Sequence, residues 1–558
     1  MKKRETFTLI KLTKKTVNVL ICLLLLHFKY TFTSAQNNSP CVGCAEINFQ
    51  RYASRPTDPN TNPPDGPFNY PVPANQTDWP GYNSKIISGK PVGPVEVQES
   101  GVLRLEVRKE YGGSIQIYDK ITQQNLINFQ DLGRESGLSS YSGPDSFSDD
   151  APYWKTGYNP LQAGDAGDHP AKLLFHGNID GYVYTKYQCN SWSHIDNRLL
   201  EFYYEQWVKL DGNKVHVKTR LTHQRPDKTF YRAYSQEWPF AMIAGVRSVR
   251  FYNGSRPFTM DQTSASNGVE RIVNGTYIVH QLTPFQITEP WIGTIIGANP
   301  GGGERLIAMT CSDFYHTTYN INAIHSYDFS EDGPTVTYSS NAPQYHLDSD
   351  NTWYRDYSYI VDNEKEIRTY VYSQARKDKP DFAFTKKNGR NGWYIVDGGH
   401  DQKEPFQRDN WTVTYDGKAD PGQPISARGT KLLSPWGSWK SSDFNTVYLK
   451  MRYSGPEKQL RVNWLLDGQA ANGVDSNYPN QNAVRFPRGV RNISQQSLPF
   501  NVINDGQMHT YKLTFGGNPL WQGVIQQFEL THNFEGPVIA PGEIVEMVYF
   551  GVNNPDNQ

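Results

Sequence analysis

Phe202-Tyr203-Tyr204-Glu205-Gln206-Trp207-Val208-Lys209-Leu210, then Asp211-Gly212, then Val215-His216-Val217-Lys218-Thr219-Arg220-Leu221: these two runs and the dipeptide between them decide the fold class. Apolar, β-branched and aromatic residues recur at the period of a strand, whose successive side chains point to opposite faces. Asp-Gly supplies the positive φ that a tight hairpin turn needs. Two antiparallel strands with one buried face are therefore expected.

The same alternation appears at Val95 and Val97, at Val102, Leu103, Leu105 and Val107, and at Ile115 and Ile117 beyond Gly112-Gly113. Further strands are expected at Val249–Tyr252, Ile278–Leu282, Ile292–Ile296, Ile307–Thr310, Val336–Ser339 and Ile367–Ser373. A polar, basic stretch then reads as a linker over 377–390. Beyond it, Trp393–Val396, Trp411–Tyr415, Thr446–Arg452, Leu460–Leu466, Met508–Phe515, Ile525–Leu530 and Ile544–Phe550 are seven short strands separated by Gly, Asn and Asp turns, the pattern of a sandwich or jelly roll. The 35 Tyr, 26 Phe and 13 Trp, beside 46 Gly and 36 Pro, agree with an all-β chain. With 55 basic against 56 acidic residues the net charge is -1, which argues against a nucleic-acid partner or a polybasic membrane surface.

Residues 1–35 have a basic start, an apolar stretch from Val17 to Leu26 and a Thr33-Ser34-Ala35 end, the layout of a cleavable signal peptide. The apolar stretch is too short to span a bilayer, so a secreted, periplasmic or cell-surface location without stable membrane insertion is expected. A Pro-rich lead-in follows over 36–95. Cys41, Cys44, Cys189 and Cys311 would remain after cleavage, and an oxidising destination makes disulfides, in one of three pairings, the expectation. No HExxH, nucleotide-binding GxGxxG or phosphate loop is present, and Cys41-Val42-Gly43-Cys44 has no second half, so no metal and no cofactor is assigned.

The residues suited to chemistry lie in the first β-region. They fall in Asp131-Leu132-Gly133-Arg134 with Ser140-Tyr141-Ser142-Gly143, in Asn159-Pro160 with Gln162-Ala163-Gly164-Asp165 and His169 beyond, and in Gln236-Glu237 with Pro239. These stretches resemble a largely uncharacterised family of secreted bacterial proteins whose front domain is similar to the β-supersandwich of galactose mutarotases. Leu433-Ser434-Pro435 with Trp439, and Asp505-Gly506-Gln507 with His509-Thr510-Tyr511, resemble the jelly-roll modules that accompany such domains. The resemblance implies a mutarotase-like β-supersandwich over 96–376, a carbohydrate-binding-like jelly roll over 391–558, and a polysaccharide or oligosaccharide partner. Carbohydrate β-sandwiches often hold a structural calcium, for which no ligand set stands out here.

Hydrolysis of a glycosidic bond needs one carboxylic acid and one carboxylate. Glu237, beside Trp238 and Pro239, and Asp165 are the expected catalytic pair. The bland alternatives are a salt-bridged structural carboxylate for Glu237 and a turn cap for Asp165. Arg134 would orient a substrate hydroxyl or carboxylate, with Tyr141, Gln162, Gln236 and His169 as further substrate contacts. A polysaccharide lyase, the second reading, would draw on Tyr315, His316, Arg355 and Arg134. In the second β-region Trp436 and Trp439 are expected as a surface platform for sugar stacking, which a non-catalytic glycan binder would also use.

Overall fold

The computed structural model describes residues 77–78, 95–127, 136–141, 145–151, 157–165, 169–194, 196–224, 234–245, 249–252, 256–261, 269–272, 283–286, 289–311, 318–324, 336–341, 344–345, 351–374, 378–384, 393–396, 411–413, 431–435, 437–466, 496–532 and 544–557. The expected hairpin is present. Leu199–Asp211 pairs antiparallel with Lys214–His223, from Phe202 opposite His223 to Asp211 opposite Lys214. Gly212 turns it at φ 60°, where a side chain would be strained. Tyr204, Val208, Val215, Val217 and Leu221 take one face and are buried.

Around this hairpin the chain builds an all-β fold whose largest sheet has 16 strands. On one side lies Tyr182–Ser191, which pairs with both Lys172–Ile179 and Pro160–Leu161; Ser136–Ser139 and Glu237–Ala244 follow. On the other side lie Asn351–Asp362, Glu304–Cys311 and Trp291–Ala298. The apolar face of the sheet packs on a 4-stranded sheet. Leu105, Val107, Ile115 and Ile117 of the small sheet share a core with Val183, Val208, Val215 and Val217 of the large one. Phe202, Leu221, Trp238 and Trp353 carry a second core farther along the same face. The layers are also pinned by charge, since Nε and Nη2 of Arg305 each lie 2.8 Å from the buried Asp119 carboxylate.

Ile367–Ser373, expected as a strand, belongs instead to the helix Glu364–Ser373, the one α-helix among the described residues. The Asn363 side chain accepts from the Glu366 amide at 3.0 Å and caps it. Ile367 and Val371 are spaced by four rather than two, and they bury against Trp291, Leu306 and Ile360 on the second face of the large sheet. Arg368 and Glu289 form a fully buried fork, with Nε at 2.9 Å and Nη2 at 3.0 Å from the two carboxylate oxygens. The indole of Trp291 and the hydroxyl of Tyr372 donate to the same carboxylate.

Beyond the helix, a 5-stranded and a 6-stranded sheet enclose one core that holds Trp393, Trp439, Trp464, Phe528 and Phe550. The stretch 377–390, expected as a linker, contains the strand Asp381–Ala383, paired with Ile544–Gly551. Phe382 and Phe384 alternate within it and are buried in that core, which the Lys-rich surroundings concealed. Cys189 and Cys311, expected as disulfide partners, are both buried thiols. Burial pushes the Cys189 thiol far above its ordinary range. Cys41, Cys44 and the leader 1–35 lie outside the described residues, as do Ile278–Leu282 and most of 36–95. Among the described residues no helix is long and apolar enough to cross a membrane, and no group of three or more His, Cys, Asp or Glu is placed to hold a metal.

Arg368→Ala would strand the Glu289 carboxylate in the interior. A loss of about 3–5 kcal/mol is expected in denaturant unfolding, and the double variant Arg368→Met with Glu289→Leu should recover much of it.

Candidate functional site

Strand alternation and register sort the side chains of the large sheet. Residues directly opposite one another in an antiparallel ladder share a face. Glu237 lies opposite Ser139, Ser139 opposite Leu161, Leu161 opposite Asn190, and Gln188 opposite Tyr203. Lys186 lies opposite Glu205, Glu205 opposite Arg220, and Arg220 opposite Tyr354. All of these therefore stand on the face turned away from the main apolar core. The helix covers this face over Trp291–Ala298, Glu304–Cys311 and Asn351–Asp362, leaving the hairpin and Tyr182–Ser191 with a half-exposed, polar and aromatic surface.

Three of the expected site residues meet on it. The hydroxyl of Tyr141 donates to Glu237 Oε2 at 2.9 Å. The Gln236 side chain clamps the Tyr141 backbone from both sides: its Oε1 accepts the Tyr141 amide at 2.6 Å and its Nε2 donates to the Tyr141 carbonyl at 3.0 Å. Glu237 is half-buried, whereas Trp238 turns to the apolar face, where its indole donates to Thr219 Oγ1 at 3.1 Å. No arginine pairs with Glu237 among the described residues; Arg134 and Arg232, the partners that the salt-bridge alternative would use, lie outside them.

Asp165 is placed differently. It is 0% exposed, and its Oδ1 accepts the His169 amide at 3.0 Å while Oδ2 accepts the Asn197 amide at 3.0 Å. The His169 ring adds a contact through Nδ1 at 3.1 Å. Both oxygens hold the loop together, the arrangement that the turn-cap alternative describes. Gln162 is likewise buried, its Nε2 donating to the Gly112 carbonyl. Arg355 is fully buried with Nη2 3.7 Å from Cys311 Sγ, too deep in the sheet to meet a polymer. Trp439 is a core residue stacked on Phe528 at 5.5 Å between ring centres, not a surface platform. Arg134, Tyr315, His316 and Trp436 lie outside the described residues.

Several groups on the open face were missed by sequence reasoning. Arg220 grips Glu205 in a bidentate fork, Nε and Nη2 each at 2.6 Å, and Tyr184 donates to the same carboxylate at 2.7 Å. Trp207 and Tyr354 pack beside the fork. Lys186 Nζ stands 5.9 Å from the ring centre of Phe175 and 6.0 Å from that of Tyr203. The alternation Tyr182, Tyr184, Lys186, Gln188 was the available signal.

A Ser-His-Asp arrangement also appears without any motif. Ser191 Oγ lies 2.6 Å from His194 Nδ1, and His194 Nε2 lies 3.0 Å from Asp150 Oδ1. Arg198 Nη1, however, sits 2.8 Å from the same Nε2. A guanidinium only donates and a carboxylate only accepts; the His194 ring sits between them and the buried Ser191 hydroxyl, and the group is a clasp. Hydrogen bonds from Arg198 and His194 hold the exposed Asp150 carboxyl well below the usual carboxylate range.

No family model and no curated protein matches the chain. Among solved structures, a galactose mutarotase-like protein from Lactobacillus casei is similar at 10% identity over 48% of this chain and 100% of its own, with a TM-score of 0.31. A 4-alpha-glucanotransferase from Thermococcus litoralis matches at 11% identity over 48% of this chain and 37% of its own, TM-score 0.25. A heparan sulfate lyase from Pedobacter heparinus matches at 9% identity over 54% of this chain and 38% of its own, TM-score 0.27. No residue role is taken from them.

Asp165→Ala would leave two buried amides without acceptors. It should lower stability by about 1–3 kcal/mol and, in the fraction that stays folded, leave any turnover within a few-fold of the parent. Trp439→Ala should cost about 3–5 kcal/mol in thermal or denaturant unfolding with no selective loss of glycan binding.

Proposed function

We propose that this chain is an exported carbohydrate-active enzyme acting on polysaccharide or oligosaccharide, with Glu237 as its proton-transferring group. The observation that carries the reading is the Tyr141-Glu237 pair. Tyr141 occupies Oε2 of a half-buried carboxylate on the open face of the sheet, and among the described residues nothing occupies Oε1. A group held at one oxygen and open at the other is positioned to exchange a proton with a ligand. In its acid form Glu237 would give the proton to the glycosidic oxygen as the bond from that oxygen to the anomeric carbon breaks. Tyr141 would then donate to the carboxylate left behind. The half-buried rings of Phe175 and Tyr203 on the same face suit the apolar faces of pyranoses.

Hydrolysis is the first reading of the reaction, with water completing the break; both Asp165 oxygens accept backbone amides, which argues for a different second carboxyl. Elimination by a lyase is the second reading, and the lysines on the same face favour it, because a lyase must neutralise the acid next to the proton it removes. New reducing ends without ultraviolet absorbance would mark hydrolysis; both signals together would mark elimination.

Glu237→Gln is expected to lower turnover about 10²–10⁴-fold while glycan affinity and the unfolding midpoint change little. Turnover within a few-fold of the parent would remove Glu237 from the chemistry. Tyr141→Phe should lower kcat with KM nearly unchanged.

A further inference from the structure

We propose that the open face of the large sheet takes glycans bearing carboxylate or sulfate groups, and that Lys186, set between Phe175 and Tyr203, is the anion contact. This rests on the carbohydrate reading above and narrows it to acidic polymers.

Lys186 is a charge with no ion-pair partner among the described residues of its strand ladder. Glu205 stands directly opposite Lys186 and would ordinarily pair with it. Both Glu205 oxygens are instead committed, to the Arg220 fork and to the Tyr184 hydroxyl. Lys186 makes no ion pair among the described residues, and its ammonium rests between two half-buried rings. An ammonium flanked by aromatic faces offers an acidic sugar two things at once: flat apolar surface for the ring carbons and a cation for the acid.

The same pattern repeats along the face. Lys209 and Lys218 each stand 5.4 Å from the ring centre of Tyr182, and Lys214 stands 5.7 Å from that of Tyr370. Asp211, Asp356 and Glu237 share this face with the four lysines, while Glu205 and Arg220 cancel. Lys186 and Lys218 lie two strands apart and two residues out of line, roughly 12 Å at the usual spacings, so successive acidic groups of one polymer can be met in turn. Nucleic acid is the poorer fit, because the two aspartates interrupt the run of cations that a phosphate backbone requires.

The test is calorimetric titration of the full-length mature protein with polygalacturonate, chondroitin sulfate, a neutral β-glucan and single-stranded DNA, at low and high salt. Binding of an acidic glycan that weakens with salt is expected, falling about tenfold or more in Lys186→Gln and returning in Lys186→Arg. Unchanged acidic-glycan affinity in both Lys186→Gln and Lys218→Gln would overturn the proposal, as would equal affinity for the neutral glucan or preference for DNA. Turnover separates the two readings. Cleavage of a neutral glycan that needs Glu237 and ignores Lys186 would leave the enzyme standing and sink this inference, whereas Lys186-dependent binding of an acidic glycan without turnover would do the reverse.

Discussion

The fork between Arg220 and Glu205 sits where the two roles of the large sheet meet. Both residues are nearly inaccessible, at 7% and 2% exposure, and each would be costly to bury alone. Together they lock the central hairpin in register, since a slip of one residue would carry Arg220 into the apolar layer and lift Leu221 out of it. Saturating Glu205 has a second consequence, because it removes the natural partner of Lys186. One interaction thus specifies the pairing that organises the sheet and leaves a cation available beside it.

Much of the fold was legible because strands announce themselves through alternation. Val249–Tyr252 and Ile544–Gly551 form where Val249–Tyr252 and Ile544–Phe550 were expected, and the hairpin turns at Gly212 as Asp211-Gly212 suggests. The errors came where one residue type serves two periods. Ile367, Tyr370 and Val371 are β-formers by type, and only the spacing of four between Ile367 and Val371, with Asn363 ahead as a cap, marks the helix. Tyr182–Ser191 escaped notice for the opposite reason: its tyrosines stand on both faces, so apolar and polar positions do not separate cleanly.

The site was legible only in part, and the reason is physical. A polar residue in a Gly-rich loop looks the same in sequence whether it faces a ligand or a backbone amide 32 residues away, as Asp165 does with Asn197. Gln162 and Arg355 share that ambiguity, and both resolve inward. Tyr141, Gln236 and Glu237 were recognisable as types, but their meeting across a sequence gap of about a hundred residues depends on sheet order. Lys186 stands in a readable alternation, but its significance lies in what Glu205 is doing on the next strand, which that alternation does not encode.

Glu237 reaches the open face through an irregularity rather than through simple alternation. Between its pairing with Ser139 and that of Phe240 with Gly137, its strand advances three residues while the partner advances two. The extra residue is a bulge, which shifts the phase of every side chain after it. Upstream of it Glu237 faces outward and Trp238 inward; downstream, Phe240 faces outward and Ala241 and Ile243 return to the core. Without that shift Glu237 would share a face with Ala241 and Ile243, and a carboxylate would be forced into the apolar layer. The bulge lets a single strand present Glu237 on the open face and still supply two residues to the core that holds the sheets together.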